Sequence, residues 1–334
     1  MREAIRNFSR QFAFEPVVVN RDRLARPARV VVLGMGGSGL AAPLLLIGKA
    51  ELPITMHRDY GLPSSCTDLR SVQVIANSYS GNTEEVLDGF ETALRQGLSI
   101  FAISIGGKLI ERAKEAGAPY IQMPDTGIQP RMALGLNTLA LAAMMGEEEI
   151  VQELHALADP PSATGGGGLK PESASRRIEI SGKALAEKLN GKIPVIYSSR
   201  RNQAIAYTWK IKLNETAKIP AFFNVFPELN HNEMTGFDVA DSTRPLSEKF
   251  AFLFLKDSED HPKVQKRMEV TEKLFRDRGF TVKVIPLEGK NVWEKIFSSL
   301  ILADWTAYFL AGHYGVEAEE VPMVEEFKKM IYTD

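Results

Sequence analysis

Short apolar runs alternate with longer helical patterns along almost the whole chain, and this rhythm restricts the fold more than any other feature. Runs of this length, each followed by a helical pattern, are typical of βαβ units, whose strands form a parallel sheet. The first half contains five such runs, at Val30–Leu33, Pro53–His57, Val72–Asn77, Ser99–Ile103 and Tyr120–Met123. Four more follow in the second half, at Pro194–Ser198, Ala221–Phe226, Phe250–Leu255 and Thr281–Pro286.

One segment rich in proline and glycine interrupts the rhythm. Residues 159–175 read DPPSATGGGGLKPESAS, with three prolines and four consecutive glycines. Such a composition buries too little apolar surface to order itself, so we predict a linker or mobile loop there. We therefore expect an α/β protein with two doubly wound, parallel-sheet lobes. The predicted domains are residues 1–158 and 176–320, separated by the linker 159–175 and followed by a C-terminal tail, 321–334.

In a doubly wound sheet ligands bind at the carboxyl ends of the strands, which makes the following loops the candidate sites. The first predicted strand is followed by GMGGSG, Gly34–Gly39, and then by an apolar helix. Glycines allow the backbone to approach a ligand closely, and the helix N-terminus offers free N–H groups. The same letters satisfy the dinucleotide fingerprint, and Asp59, 20 residues after Gly39, has the position of a ribose-binding acid. This loop alone leaves a NAD-binding domain open.

A second loop distinguishes a phosphate site from a dinucleotide site. The run at Val72–Asn77 is followed by SYSGNTEE, in which the hydroxyls of Ser78, Ser80 and Thr83 flank a glycine just before a helix. Hydroxyl donors and exposed backbone N–H groups suit the three oxygens of a phosphate monoester. Helix capping would explain one of these hydroxyls, not three. The dinucleotide fingerprint has no such loop. We therefore predict that the loop Ser78–Thr83 binds phosphate.

Together, GMGGSG and SYSGNTEE resemble the phosphate loops of the sugar-isomerase (SIS) domain. From about Val30 to Lys328 the chain resembles the bifunctional phosphoglucose/phosphomannose isomerases of archaea and some bacteria. The resemblance implies two flavodoxin-like SIS domains and a homodimer whose active sites are shared between subunits. It also implies that no cofactor or metal ion is obligatory, and that five residues hold the substrate phosphate: Gly37, Ser38, Ser78, Ser80 and Thr83.

The same resemblance implies roles for three residues with acid, base or cationic side chains. Aldose–ketose isomerisation moves a proton between C1 and C2 through a cis-enediol, which requires a base, a ring-opening group and a donor near the oxyanion. Glu215, in the N-E-x-x-K sequence Asn214–Lys218, corresponds to the base. His231 corresponds to the ring-opening group, contributed by the partner subunit, and Arg131 to the cation that stabilises the intermediate. The ordinary alternatives are solvated side chains for Glu215 and His231, and a structural ion pair for Arg131.

The C-terminal sequence VPMVEEFK, Val321–Lys328, resembles the family's closing segment, whose lysine enters the site. Either Lys328 or Lys329 can fill that role, and a solvated lysine is the ordinary alternative. Family members often carry threonine before this proline, and the resemblance implies that it accommodates the enediol used for mannose 6-phosphate. Val321 keeps the volume and lacks the hydroxyl, so activity on glucose 6-phosphate is better supported than activity on mannose 6-phosphate.

Composition argues against other classes of function. The chain has 40 Lys+Arg against 42 Asp+Glu, a balance that suggests neither nucleic acid nor an anionic membrane surface as a partner. The single cysteine, Cys66, excludes an internal disulfide framework and a Cys-rich zinc site. No apolar stretch approaches the ~20 residues that cross a bilayer, and the N-terminus lacks the apolar core of a signal peptide. We therefore expect a cytoplasmic protein.

The sequence thus predicts an isomerase that interconverts fructose 6-phosphate with glucose 6-phosphate and also with mannose 6-phosphate. Two alternatives remain: a NAD-dependent oxidoreductase built on Gly34–Gly39 and Asp59, and a non-catalytic sugar-phosphate sensor. The oxidoreductase would not need the loop of Ser78–Thr83. The sensor would not need acid, base and arginine together, and no basic DNA-binding segment accompanies the predicted domains.

Overall fold

The computed structural model describes residues 1–23, 29–64, 72–158 and 172–331. The chain divides into two compact units, residues 6–171 and residues 1–5 with 172–334, which we call the N-terminal lobe and the C-terminal lobe. Cys66 and residues 159–171 of the predicted linker, with its four glycines, lie outside the described residues. The last four positions of the predicted linker are already helical, because a helix begins at Glu172.

Helix α1 (Arg2–Arg6) begins the chain, and the N-terminal lobe contains a six-stranded sheet with strand order β1-β6-β5-β4-β2-β3. The strands are β1 (Val18–Val19), β2 (Arg29–Leu33), β3 (Ile54–His57), β4 (Val72–Asn77), β5 (Ser99–Ser104) and β6 (Tyr120–Gln122). The helices are α2 (Ala41–Gly48), α3 (Glu84–Arg95), α4 (Gly107–Glu115), α5 (Leu134–Met144) and α6 (Glu148–His155). All neighbouring strands are parallel except β1, which pairs antiparallel with β6 at the edge. The strand order reverses between β2 and β4, so the loops after these two strands border the crevice where doubly wound sheets bind ligands.

The hydrophobic pattern of the sequence accounts for the packing of this lobe. Every residue of β4 is buried, as expected for a central strand covered on both faces. In α3 the buried positions are Val86, Gly89, Phe90 and Ala93, which recur at helical spacing and form one face against the sheet. Each large apolar side chain buried in this way contributes about 1.5–3 kcal/mol. The helix that follows the serine-rich loop is thereby fixed to the sheet.

The C-terminal lobe repeats this topology on a smaller scale, with a four-stranded parallel sheet of order β10-β9-β7-β8. The strands are β7 (Ile193–Ser199), β8 (Phe222–Phe226), β9 (Phe250–Lys256) and β10 (Thr281–Pro286). The helices are α7 (Glu172–Leu189), α8 (Gln203–Ala217), α9 (Arg244–Ser247), α10 (Pro262–Asp277), α11 (Val292–Tyr314) and α12 (Pro322–Ile331). An aromatic cluster fills the space between the sheet and α10, with the Phe252 and Phe275 ring centroids 4.4 Å apart. In this sheet β9 occupies the position that β4 has in the first sheet, and β7 occupies that of β2.

The predicted α/β class with parallel sheets is confirmed, and each predicted strand is present with ends displaced by at most one residue. The patterns did not predict β1, α1, α6, α7 or α9, and residues 322–331 of the predicted tail form helix α12. Helix α7 contains Gly182, and a Cβ there would lie 2.4 Å from the Cβ of Trp305 on α11. Glycine is required for this close packing, although it weakens the helical signal of the sequence. Among the described residues, no helix is long and apolar enough to cross a membrane.

Candidate active site

The glycine-rich loop after β2 folds into a short 3₁₀ turn, Gly36–Leu40, that continues into α2. Ser38 in this turn is buried, and its Oγ accepts a hydrogen bond from the Tyr79 N–H at 2.8 Å. Asn77, the last residue of β4, donates from its side-chain amide to the Ser38 carbonyl at 3.2 Å. These bonds join the loops after β2 and β4. Because Ser38 Oγ accepts here, its own proton is left to donate to a ligand.

The serine-rich loop after β4 is stabilised by its own hydroxyl groups. Ser78 Oγ lies 2.8 Å from Thr83 Oγ1 and accepts from the Gly81 N–H at 3.1 Å. Thr83 immediately precedes α3, but its side chain makes no capping bond to the helix. Ser80 is exposed, and its Oγ accepts from the Asn82 N–H at 3.2 Å. Capping therefore does not explain Thr83, and the hydroxyls cluster at a helix N-terminus, where the dipole favours an anion.

Gly81 allows the loop after β5 to close against the serine-rich loop. Its φ is +72°, and a Cβ would lie 1.9 Å from the Gly106 carbonyl oxygen. No other residue fits this position without moving the backbone. Ser104 completes the contact by donating from its Oγ to the Tyr79 carbonyl at 3.1 Å. The loop that contains the candidate phosphate ligands is thus fixed from the side of β5 as well as from β2.

Arg131 lies in a 3₁₀ turn, Pro130–Met132, directly beside the glycine-rich loop. A Cβ on Gly37 would lie 2.6 Å from the Pro130 carbonyl carbon and 2.7 Å from the Arg131 nitrogen. The two backbones can touch only because residue 37 is glycine. Arg131 itself is 1% exposed. The structure therefore brings Arg131 to the same end of the sheet as Gly37, Ser38 and the serine-rich loop.

Gln11 holds the turn that contains Arg131, although no local pattern singled it out. Its Nε2 donates to the Met132 carbonyl at 2.8 Å. Its Oε1 accepts from the N–H groups of Gly135 (2.9 Å) and Leu136 (3.2 Å), in the first turn of α5. The amide thus satisfies helix N–H groups that lack intrahelical partners. Gln11 and Met132 are 121 positions apart, so sequence spacing could not have indicated the contact.

Arg58, and not its neighbour Asp59, contacts the glycine-rich loop. The Arg58 Nη2 donates to the Gly39 carbonyl at 2.9 Å. Asp59 is exposed, and its carboxylate accepts from the N–H of the adjacent Tyr60 at 2.8 Å. The side chain that the dinucleotide interpretation assigned to a ribose is therefore engaged in a local turn, while a cation lies beside the loop.

Glu215 lies in the last turn of α8 and is half-buried. The N-E-x-x-K motif around it forms the end of the helix. Lys218 adopts the left-handed conformation as C-cap (φ 57°) and donates from Nζ to the Glu215 carbonyl at 2.6 Å. Asn214 donates from its side-chain amide to the Ile219 carbonyl at 2.8 Å. Glu215 is thus held on a closed helix terminus, which positions a carboxylate more firmly than a loop would.

His231 is the last residue of the 3₁₀ turn Glu228–His231 and is exposed. The preceding Asn230 donates from its side-chain amide to Thr271 Oγ1 at 2.9 Å, which fastens the turn to α10. The role predicted for His231 requires an imidazole that a substrate can reach, and its exposure meets that requirement.

A buried tyrosine holds the other side of the same turn. The Tyr197 hydroxyl donates to Glu233 Oε1 at 2.5 Å, and the Asn224 side-chain amide donates to the second oxygen of Glu233. Burial, followed by the hydrogen bond to Glu233, raises the pKa of Tyr197, which therefore remains a phenol donor. The backbone on both sides of His231 is consequently fixed, while the imidazole stays accessible.

Lys328 lies on α12, whose residues are exposed along its length. Its Nζ donates to Glu325 Oε1 of the same helix at 2.8 Å. Glu215, His231 and Lys328 therefore lie on three separate elements of the C-terminal lobe, whereas Arg131 and the candidate phosphate ligands gather in the N-terminal lobe. Within the described ranges, no group of three or more His, Cys, Asp or Glu side chains is arranged to hold a metal ion.

Comparison with known proteins adds sequence and structural relatives. Residues 178–331 match the family described as bacterial phospho-glucose isomerase C-terminal SIS domain. A bifunctional phosphoglucose/phosphomannose isomerase of Aquifex aeolicus (strain VF5) is 33% identical over 331 residues, which cover 98% of this chain and 97% of the relative. One of the same name from Caldicellulosiruptor bescii is 34% identical over 315 residues, covering 91% and 89%. The crystal structure of hypothetical protein TT0462 from Thermus thermophilus superposes with a TM-score of 0.68 at 18% identity, over 99% of this chain and 87% of that one.

Proposed function

The chain belongs to the bifunctional phosphoglucose/phosphomannose isomerase family, and on this basis we propose that it interconverts fructose 6-phosphate with glucose 6-phosphate and mannose 6-phosphate. The observation that carries the proposal is the convergence of two hydroxyl-bearing loops and Arg131 at one end of a parallel sheet. The relatives are named as isomerases, which does not favour the oxidoreductase or the sensor. A cytoplasmic location, expected from the composition, remains part of the proposal.

In this proposal the substrate phosphate binds at the N-terminus of α3. Ser38 and Ser80 donate their hydroxyl protons to the phosphate. Ser78 and Thr83 form one hydrogen bond with each other, which uses one of their two hydroxyl protons, so the other proton remains to bond the phosphate. The backbone at Gly37 allows close approach. Hydrogen bonds from neutral donors to an anion are stronger than bonds between neutral groups, so this arrangement suits a phosphate dianion.

The reacting end of the sugar would then meet the acid–base groups. Glu215 removes the proton from C2 or C1 and returns it to the neighbouring carbon, so that one carboxylate serves both half-reactions. Arg131 stabilises the negative charge that develops on the oxygens of the cis-enediol. His231 protonates the ring oxygen to open the pyranose, which needs an accessible imidazole whose position is fixed by its backbone. Lys328 is the proposed cation of the C-terminal segment, with Lys329 as the alternative.

We also propose a homodimer with shared active sites, in which His231 comes from the partner subunit. The exposed imidazole of His231 supports this, and so does the apolar face of α12. Five large apolar side chains of this helix are exposed: Met323, Val324, Phe327, Met330 and Ile331. Exposed apolar patches mark interaction surfaces. Light scattering should therefore give the mass of two chains, and Phe327→Glu should shift the protein toward the monomer.

A coupled assay tests the proposed reaction. Fructose 6-phosphate is supplied, and glucose 6-phosphate and mannose 6-phosphate are measured separately. Ser80→Ala should raise KM by about 10- to 150-fold, because a hydrogen bond to a charged group contributes roughly 1.5–3 kcal/mol. Ser258→Ala is the matched control, since Ser258 is an exposed serine after β9, the counterpart of β4. Absence of either product from the wild-type protein would contradict the proposal.

A further inference from the structure

Lys218 joins the helix end that carries Glu215 to the segment that leads into α12. Its Nζ donates to three main-chain carbonyl oxygens, those of Glu215 (2.6 Å), Thr216 (3.4 Å) and Glu317 (2.7 Å). The first two belong to the last turn of α8. The third lies between α11 and α12, 99 positions along the chain. One ammonium group therefore contacts two elements that are remote in sequence.

Both groups of contacts have a clear physical basis. The last carbonyls of a helix have no intrahelical partner, and the negative end of the helix dipole favours a cation there. An ammonium has three protons to donate, so it can satisfy two helix carbonyls and still bond a third oxygen. The left-handed backbone of Lys218 (φ 57°, ψ 34°) folds the chain back at the helix end, which brings its side chain over the preceding turn.

The segment that Lys218 bonds, between α11 and α12, is also held by contacts of its own. The Glu319 carboxylate pairs with the Met1 amine at 2.7 Å, and Ala318 is buried. After α11 the chain turns at Gly315, and the Val316 N–H donates back to the Ala311 carbonyl at 3.0 Å. The Glu319 N–H bonds the side chain of Glu317 at 3.1 Å. On another side the segment borders a cavity of about 760 Å³ in the same lobe. None of these contacts involves α8, whereas the bond from Lys218 ties the segment to the end of that helix.

We infer that Lys218 is a positioning residue that sets the place of Val321 and α12 relative to Glu215. This rests on the proposed function, in which the base on α8 and the C-terminal segment act on the same substrate. Lys218 itself bonds main-chain oxygens and acts through them. A displacement of about 1 Å between reacting groups can cost on the order of 100-fold in rate, so a single bond of this kind affects turnover.

The test compares Lys218→Met with a matched control, Lys192→Met. Lys192 also donates from Nζ to a main-chain carbonyl in the same lobe, that of Glu248 at 3.0 Å. Lys218→Met should lower kcat by about 10- to 100-fold and change KM for fructose 6-phosphate by less than about 3-fold, because the phosphate ligands lie in the other lobe. Lys218→Arg should restore part of kcat, and Lys192→Met should match the wild type.

Hydrogen exchange gives an independent readout. Amides of residues 316–331 should exchange faster in Lys218→Met than in the wild type or in Lys192→Met. If Lys218→Met does not fold, Lys218→Gln, whose shorter side chain cannot bridge both elements, takes its place in both measurements. Unchanged kcat together with unchanged exchange would overturn the inference, and so would an equal loss in both lysine variants. If the wild type lacks isomerase activity, the proposed function fails, while the exchange rates still decide whether Lys218 fixes the segment.

Discussion

Gly37→Ala tests whether backbone contact between the glycine-rich loop and the turn of Arg131 builds the proposed active site. The added Cβ would lie 2.6 Å from the Pro130 carbonyl carbon and 2.8 Å from its oxygen. Both atoms belong to the backbone, so no side-chain rotation can relieve the clash. Ordinary contact begins near 3.4 Å, so the turn must move by about 0.8 Å.

Two effects of different size follow from this displacement. Overpacking of a well-packed region costs about 1–3 kcal/mol in stability. For a lobe of this size, the unfolding temperature should fall by about 2–4 °C for each kcal/mol. The effect on turnover should be larger, because a shift of about 1 Å in a positioned group costs on the order of 100-fold in kcat/KM.

The assay measures kcat/KM for fructose 6-phosphate and the unfolding temperature of the same preparations. Gly146→Ala is the control, because Gly146 lies in the same lobe at φ +73° with nothing within 4 Å of an added Cβ. Its left-handed backbone should cost about 1–2 kcal/mol without moving Arg131. If Gly37→Ala kept kcat/KM within about 3-fold of the wild type while losing stability like the control, the contact would not be what places Arg131.

Three further predictions concern the chemistry, the epimer and the pH dependence of stability. Glu215→Gln should stop exchange of the C2 hydrogen with solvent, and His231→Ala should mainly impair turnover of cyclic substrates. If each site uses both chains, refolding the two inactive variants together should restore activity, and no recovery in proven heterodimers would place both residues in one chain. Val321→Thr should raise turnover of mannose 6-phosphate relative to glucose 6-phosphate, and equal wild-type rates on both would refute a role for the hydroxyl. Burial tends to raise the pKa of Asp257, but hydrogen bonds from Lys295 and other donors outweigh it and lower that pKa below its usual range. Its contribution to stability is therefore present above about pH 4 and is lost as pH falls through the folded-state value, so Asp257→Asn should lower the unfolding temperature at pH 7 and flatten its decline in acid.

The strands could be predicted because their signal is local. The inner strands β2, β4, β5, β7 and β9 are runs of mostly buried, largely apolar residues. Burial on both faces of a parallel sheet requires such a run, which can be recognised in the sequence itself. Strand β1 has only two residues, Val18–Val19, which is too short to form such a run. Helix α7 was not predicted, and Gly182 in its interior weakens the helical pattern. The reason for that glycine is a contact with Trp305, which lies far along the chain.

The candidate site also combines features that could be predicted from the sequence with features that only the tertiary structure shows. The sequence by itself determined the chemistry of the loops, because the hydroxyls, the glycines and the helix that follows them are contiguous and their spacing is readable without a fold. Only the tertiary structure decided that Thr83 pairs with Ser78 and does not cap α3, that Gln11 holds the turn of Arg131, and that Lys218 ties Glu317 to α8. Each of the last two contacts joins residues roughly a hundred or more positions apart. Residue spacing along a chain indicates only the contacts within a helix, a strand or a turn. Contacts between residues about a hundred positions apart form only when separate elements pack against each other.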